Sequence, residues 1–371
     1  MKRRLQCVAC GATYPLDEPR LRCTCGGLLD VQIEMDDAPS ARDLTRTFLD
    51  RLSSYAPVDL SGVWRYRELV LDLPPEEIVT FPEGRTNLYA LDPGPLGLAA
   101  LWVKHEGENP TGSFKDRGMT VAVSQARHRG ARALICASTG NTSASLAAYG
   151  ARAHLPVFVL IPEGKIAQGK LAQALAYGAH TLQIEGSFDD AMRTVEQLAS
   201  HHGLAVVNSL NPFRIEGQKT IILDSYFQLG QMLPDWIVVP GGNLGNTSAF
   251  GKALVEMSAL GFLDHLPRLA VIQAEGASPF ARAAQTGFRF FAPVQPETIA
   301  TAIRIGNPVS YEKAVRAIHA TRGVVVSVSD IEILQAKHDL DSQAMGCEPA
   351  SAATLAGLRH LVESGMVQHG Q

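Results

Sequence analysis

From residue 100 onward, short β-branched runs alternate with longer amphipathic stretches. The runs "LWVKHE", "ALICAS", "PVFVLIP", "HTLQIE", "AVVNS", "DWIVVP", "LAVIQAE" and "GVVVSVS" predict strands, because branched and aromatic side chains suit a pleated, buried surface. Between most of them apolar residues recur at helical spacing, as in "TSASLAAYGARA", "KIAQGKLAQALAYG" and "DDAMRTVEQLASHHG". Many of these stretches stop at a Gly, which accepts the left-handed conformation that ends a helix. Strands alternating with helices predict an α/β fold with doubly wound, mostly parallel sheets. The pattern is less regular over residues 36–90. There "SARDLTRTFLDRLSSYA" and "SGVWRYRELVLDLPPEE" predict helices and "VTFPEGRTNLYAL" a strand.

Composition narrows the classes. The 371 residues, 46% hydrophobic and 19% charged, suit a globular protein of two or three lobes. The net charge is 33 − 37 = −4 with no block of like charge, so nucleic acid is not an expected partner. No apolar run reaches the roughly 18 residues of a membrane span. The basic start "MKRRLQCVACG" is followed by no apolar stretch, so no signal peptide is expected and the cytoplasm is the expected location.

Four of the six cysteines lie within the first 25 residues. Cys7 and Cys10 form a C-x-x-C knuckle followed by Gly11; Cys23 and Cys25 form a shorter C-x-C followed by Gly26 and Gly27. Thiolate pairs on two glycine turns are the pattern of a zinc ribbon. The missing residue in the second pair would strain its bite. Two readings stand open: a zinc-ribbon-like cap over residues 1–34, or a small β-hairpin cap that has lost its metal.

In a wound sheet, sites form where strands run into helices at their carboxyl ends. Three such junctions are rich in polar residues. "GGNLGN" carries Gly241, Gly242, Asn243, Leu244, Gly245 and Asn246; its glycines let backbone amides converge on an anion at a helix N-terminus. It lacks both the P-loop lysine and the dinucleotide glycine spacing, so a single phosphate suits it better than a nucleotide. "ASTGNTSAS" places Ser138, Thr139, Gly140, Asn141 and Thr142 in succession, more donors than one helix cap needs. "NSLNPFRIEGQKT" offers Asn208, Ser209 and Arg214 for a second anion, with Lys219 nearby, or capping by Asn208 or Asn211 and a solvated basic patch. Lys115 sits in "ENPTGSFKDRGM", delivered by a turn against Phe114. Partial desolvation would favour its neutral amine, the form that makes a Schiff base. A Schiff-base lysine, a lone phosphate cradle and no nucleotide fingerprint together suggest pyridoxal phosphate.

These residues also carry a resemblance. "NPTGSFKDRGM", "ASTGNTSAS", "GKLAQALAYGA", "NPFRIEGQKT", "GNLGN", "TAIRIGNP" and "CEPASAATLAGL", in that order, resemble the threonine synthase family of the tryptophan-synthase-β-like, fold type II pyridoxal-phosphate enzymes. The resemblance spans essentially the whole chain. It implies a catalytic domain over residues 35–371, with a smaller lobe at roughly 109–218. It implies Lys115 as the cofactor's lysine, Asn141 at the ring hydroxyl, residues 241–246 at the cofactor phosphate and Ser351 at the pyridine nitrogen. Ser138, Thr139 and Thr142 would take a substrate carboxylate. Asn208, Ser209 and Arg214 would take the phosphate of O-phosphohomoserine. The implied reaction replaces that phosphate, with water, to give threonine, and a homodimer is usual for the fold. The chain departs from the family at "PEGRTNL", where Arg85 and Asn87 stand in place of the commoner Asn and Pro. Competing expectations are cysteate synthase, a threonine or serine dehydratase, and a non-catalytic binding module.

Overall fold

The computed structural model describes residues 1–162, 168–186 and 188–371, without the side chains of 168, 188, 189 and 200. The first three residues of the helix expected from "KIAQGKLAQALAYG" lie outside that set. At the N-terminus β1 (Arg3–Cys7) pairs antiparallel with β2 (Thr13–Tyr14) on one side and β3 (Leu29–Ile33) on the other. Alternation buries Leu5 and Cys7 on β1 and Leu29, Val31 and Ile33 on β3.

The helix α1 (Ala41–Asp50) starts where the Ser40 hydroxyl accepts the Asp43 amide, and it buries Leu44 and Phe48. A single turn, α2 (Pro57–Leu60), falls between the two expected helices, and the second of them is broken into a 3-10 turn at Trp64–Tyr66 and a single turn, α3 (Arg67–Val70). Leu71 is extended and Pro74 and Pro75 follow, so the helix cannot run on. The strand expected over 79–91 is only β4 (Leu88–Leu91), antiparallel to β5 (Leu101–Lys104). Gly84 and Arg85 both adopt positive φ, +78° and +50°, which no extended run allows.

The predicted rhythm then holds. The chain passes through α4 (Lys115–His128), β6 (Leu134–Ala137), α5 (Asn141–Ala153), β7 (Val157–Pro162), α6 (Gln168–Ala176) and β8 (His180–Ile184). Next come α7 (Phe188–His202), β9 (Ala205–Val206), α8 (Pro212–Gln218) and α9 (Thr220–Gln228). A parallel sheet results, in the order β8-β7-β6-β9. Ile135, Leu160, Val195 and Val206 form part of its core, joined by Leu21 from the N-terminal cap.

A second series runs β10 (Trp236–Pro240), α10 (Gly245–Ala259), β11 (Arg268–Ala274), α11 (Pro279–Gln285), α12 (Tyr311–Thr321), β12 (Val324–Val328), α13 (Asp330–Ser342) and α14 (Pro349–Glu363). Its sheet is parallel, ordered β10-β11-β12, with Ala270, Ile272, Ile333 and Leu361 in the core. The chain divides into two compact units: residues 1–87 with 105–224, and residues 88–104 with 225–371. The first is wider than the lobe expected at 109–218, because the cap and most of the connector pack with it.

Candidate active site

Lys115 opens α4, and the loop before it is fixed from several sides. The Asn109 carboxamide oxygen accepts the Gly84 amide at 2.9 Å, and its nitrogen donates to Glu106. Gly112 takes φ +81°, a turn an L side chain resists. Asp116 is fully buried and accepts from the Thr111 amide (2.7 Å), the Thr111 hydroxyl (2.6 Å) and the Ser145 hydroxyl (2.5 Å). Burial pushes its carboxyl above the usual range, and those three donors pull against it. Arg117, also fully buried, pairs with Glu106 at 2.7 Å and Asp224 at 2.8 Å, and the paired carboxylates, overcoming the burial penalty, hold its pKa above the ordinary value. The two residues after the lysine therefore bolt down the first turn of α4. Lys115 remains half-buried, its Nζ 3.9 Å from the centre of the Phe114 ring, the contact expected from sequence. Lys170 on α6 donates to the Thr111 carbonyl at 2.9 Å, adding a further tie to the same turn. Asp116, Arg117 and Lys170 escaped the sequence reading. An acid and a base directly after the lysine were the available signal, but only burial gives them work.

The donors at 138–142 stand where β6 enters α5, half-buried. The N-cap of α5 is Gly140, which offers no side chain, so the helix start has no side-chain cap. Ser138 is partly occupied, accepting the Gly140 amide at 3.2 Å. An uncapped helix N-terminus ringed by Thr139, Asn141 and Thr142 suits a carboxylate.

The "NSLNPFR" stretch divides its labour differently from the expectation. Asn208 is committed to β6: its Oδ1 accepts the Ala137 amide at 3.1 Å and its Nδ2 donates to the Ala137 carbonyl at 2.9 Å. It extends the sheet past β9 and in this arrangement serves as a tie for the strand end. Asn211 caps α8 through the Phe213 amide, as one of the two readings held. Lys219 pairs with Glu216 at 2.6 Å, so it is no solvated patch. Arg214 is 2% exposed, and its Nε and Nη1 have no hydrogen-bond partner among the described residues. Burial lowers its pKa to about 10, slightly offset by Cys136, and it stays charged at neutral pH. The Cys136 thiol is itself pushed up to about 12 by burial. A buried guanidinium with two open donors costs several kcal/mol unless an anion meets it. Its place is fixed beside the lysine helix: a Cβ on Gly118 would lie 2.9 Å from the Arg214 carbonyl oxygen. Gly118 is three residues, nearly one turn, from Lys115.

In the second unit the "GGNLGN" loop leads from β10 into α10. The Gly241 amide is not available to a ligand, contrary to expectation: it donates to the Ile272 carbonyl at 2.7 Å, continuing the ladder. Leu244 adopts φ +62° as N-cap of α10, and no side chain caps the helix. Asn246 Oδ1 and Thr247 Oγ1 are buried without hydrogen-bond partners among the described residues. A glycine-rich turn, a helix dipole and the Thr247 hydroxyl, which can donate, suit a phosphate. Asn243 also shapes the loop, its Oδ1 accepting the Val309 amide at 3.3 Å and its carbonyl the Ser310 amide at 3.1 Å. Ser351 lies in the first turn of α14, half-buried.

In the cap, Cys7, Cys10, Cys23 and Cys25 place their sulfurs within 4.8 Å of one another. The short second pair still brings Cys25 Sγ to 3.5 Å from Cys10 Sγ and 3.6 Å from Cys7 Sγ, and its turn closes with the Gly26 amide donating to the Cys23 carbonyl at 2.8 Å. The Tyr14 hydroxyl, 3.0 Å away, lowers Cys23 to about 5. At Cys25 the Gly27 amide pulls down, but bonds to the Cys10, Cys23 and Cys7 thiols prevail and raise it to about 12.

Residues 79–371 match the family model for pyridoxal-phosphate dependent enzymes. The threonine synthase of Methanosarcina acetivorans is 48% identical over 369 residues, covering 98% of this chain and 88% of its own. The threonine synthase of Methanocaldococcus jannaschii is 45% identical over 373 residues, covering 99% and 89%. Among solved structures, threonine synthase from Escherichia coli superposes with a TM-score of 0.73 at 18% identity, over 97% of this chain and 83% of that one. Threonine deaminase isoform 2 from Solanum lycopersicum gives 0.67 at 18% identity, over 90% and 83%. At that identity both likenesses speak to the fold.

Proposed function

The chain belongs to the threonine synthase family of pyridoxal-phosphate dependent enzymes, and we propose that it converts O-phosphohomoserine and water to threonine and phosphate. The observation that carries this substrate is Arg214: a buried guanidinium with two open donors, packed beside the lysine helix, has the chemistry to receive a dianionic phosphate. A dehydratase acting on a hydroxyamino acid has no second phosphate to offer it.

The remaining roles rest on the resemblance of the motifs. The amides of 242–247, with the Thr247 hydroxyl, would hold the cofactor phosphate; Gly241 would serve by continuing the ladder from the strand end. Asn141 would meet the cofactor's ring hydroxyl and Ser351 its ring nitrogen. When bound, pyridoxal phosphate supplies the electrophile for the substrate amine and a ring that disperses carbanion charge. Lys115, its turn clamped by Asp116, would take the proton from the substrate Cα and then one from Cβ. Thr139 and Thr142, with Ser138, would hold the substrate carboxylate at the α5 N-terminus. Arg214, with Ser209 beside it, would hold the phosphate as it departs from Cγ; Asn208 would keep that segment in place. Water then adds at Cβ, and protons return to Cγ and Cα. No helix among the described residues is long and apolar enough to cross a membrane. A cytoplasmic homodimer, with a metal ion in the cap, completes the reading.

A substrate panel tests it. The purified enzyme should release phosphate from O-phosphohomoserine and leave phosphoserine with sulfite, and threonine alone, essentially unchanged. Turnover of phosphoserine with sulfite in preference would transfer the assignment to cysteate synthase.

A further inference from the structure

We propose that the cap holds one zinc ion in a tetrathiolate site, and that this ion is structural, with no part in the reaction. The inference deepens the metal reading of the cap and is independent of the substrate assigned above. Its geometry is specific. The Sγ of Cys10 lies 3.6 Å from that of Cys23 and 3.5 Å from that of Cys25, and Cys25 is also 3.6 Å from Cys7. Cys10 and Cys25 each approach two partners, so the sulfurs surround a common centre and do not sort into two pairs. Zinc–sulfur bonds of about 2.3 Å in a tetrahedron set the sulfurs about 3.8 Å apart, close to what is found. A disulfide would need about 2.05 Å.

Three neighbours are shaped for that cluster. The Cys10 amide points at Cys7 Sγ at 3.5 Å, and the Tyr14 hydroxyl reaches Cys23 Sγ at 3.0 Å. Gly27 has an ordinary φ, yet a Cβ there would come 2.8 Å from Cys7 Sγ and 3.3 Å from Cys25 Sγ. The Ala9 Cβ would also stand 3.0 Å away, so it is side-chain crowding around the sulfurs, not backbone conformation, that calls for glycine there. The cluster crosses the cap, joining the turn after β1 to the turn before β3, so an ion there closes a small fold with little core of its own.

The cap's place explains what the ion supports. Arg129, just past the end of α4, donates to the Glu18 carbonyl at 2.6 Å and to the Leu16 carbonyl, both in the loop between the two cysteine pairs. Leu21 from the same loop enters the core under the parallel sheet. The metal thus braces the far end of the helix that begins at Lys115. Fourteen helical residues put roughly 20 Å between the two ends, too far for the ion to touch the chemistry.

The test is metal content and thiol count on the purified holoenzyme, expressed with zinc in the medium and kept reduced until buffer exchange. The expected result is about one zinc per chain, released by a mercurial reagent with four thiols consumed per zinc. Gly27→Ala should cut zinc content to below about a tenth per chain, while Cys347→Ser should keep it near one. In the zinc-poor variant the thermal midpoint should fall, but the visible absorption of bound cofactor and kcat should persist. Wild-type protein with no zinc and six reactive thiols, or with two and the rest in disulfides, would overturn the proposal, as would iron in its place. Loss of turnover with zinc intact would count against the substrate assignment alone.

Discussion

We propose that the reaction turns on Lys115 and Arg214, and each role has a separable signature. Lys115→Ala should abolish turnover and the visible absorption of lysine-bound cofactor; a spectrum of the purified variant checks this. Arg214→Ala should leave that spectrum intact and raise KM for O-phosphohomoserine by about 10- to 100-fold, the worth of one charge-assisted hydrogen-bond site. A normal KM would remove Arg214 from the phosphate. The sequence made Lys115 visible through its turn and neighbours. Arg214 was ambiguous there, because a string of letters does not reveal that a guanidinium is 2% exposed with two donors unmet. Gly241 and Asn208 misled for the same reason: their types suit a ligand, but the ladder had already claimed their hydrogen bonds.

At the scale of elements, close packing of α4 on α8 sets the distance between lysine and arginine. A Cβ on Gly217 would lie 1.7 Å from the Arg117 carbonyl oxygen, where backbone must yield. Gly217→Ala should therefore destabilise the protein by about 1–3 kcal/mol and raise KM as α8 is pushed from α4; denaturation midpoints and kinetics measure both. Far from these helices, α13 opens with a capping box, the Ser329 hydroxyl and Glu332 carboxylate exchanging bonds with each other's amides. Burial pushes Glu332 up, but Ser329 and His360 outweigh it and hold its pKa at about 2. A depressed carboxylate pKa stabilises above the unfolded value, about 4.3, and the benefit is lost as pH falls toward 2. Glu332→Gln should cost about 0.5–1 kcal/mol at pH 7, modest because the group is partly exposed, and less at pH 3. An equal cost at both pH values would mean that its charge is irrelevant.

For the whole molecule, the strands were the most legible part, since apolar runs such as β6, β7 and β11 are buried on both faces of a parallel sheet and announce themselves. The connector was the least legible: Gly84, Arg85 and the Pro74–Pro75 pair cut short a strand and a helix that periodicity alone favoured. The division into units also lay beyond the sequence, because it depends on Leu21 and Arg129 joining the cap to the first sheet and helix. A cofactor bound to the folded chain and not to the unfolded one adds to its stability. Stripping pyridoxal phosphate should lower the thermal midpoint, as loss of a ligand held at 100 times its Kd removes about 2.7 kcal/mol, and adding it back should restore the midpoint.

The most direct measurement of the central claim is product stoichiometry. Purified enzyme, given O-phosphohomoserine as sole substrate, should form threonine and inorganic phosphate in equal amounts throughout the time course. Phosphate released without threonine, or no phosphate at all from an enzyme carrying its cofactor, would contradict it.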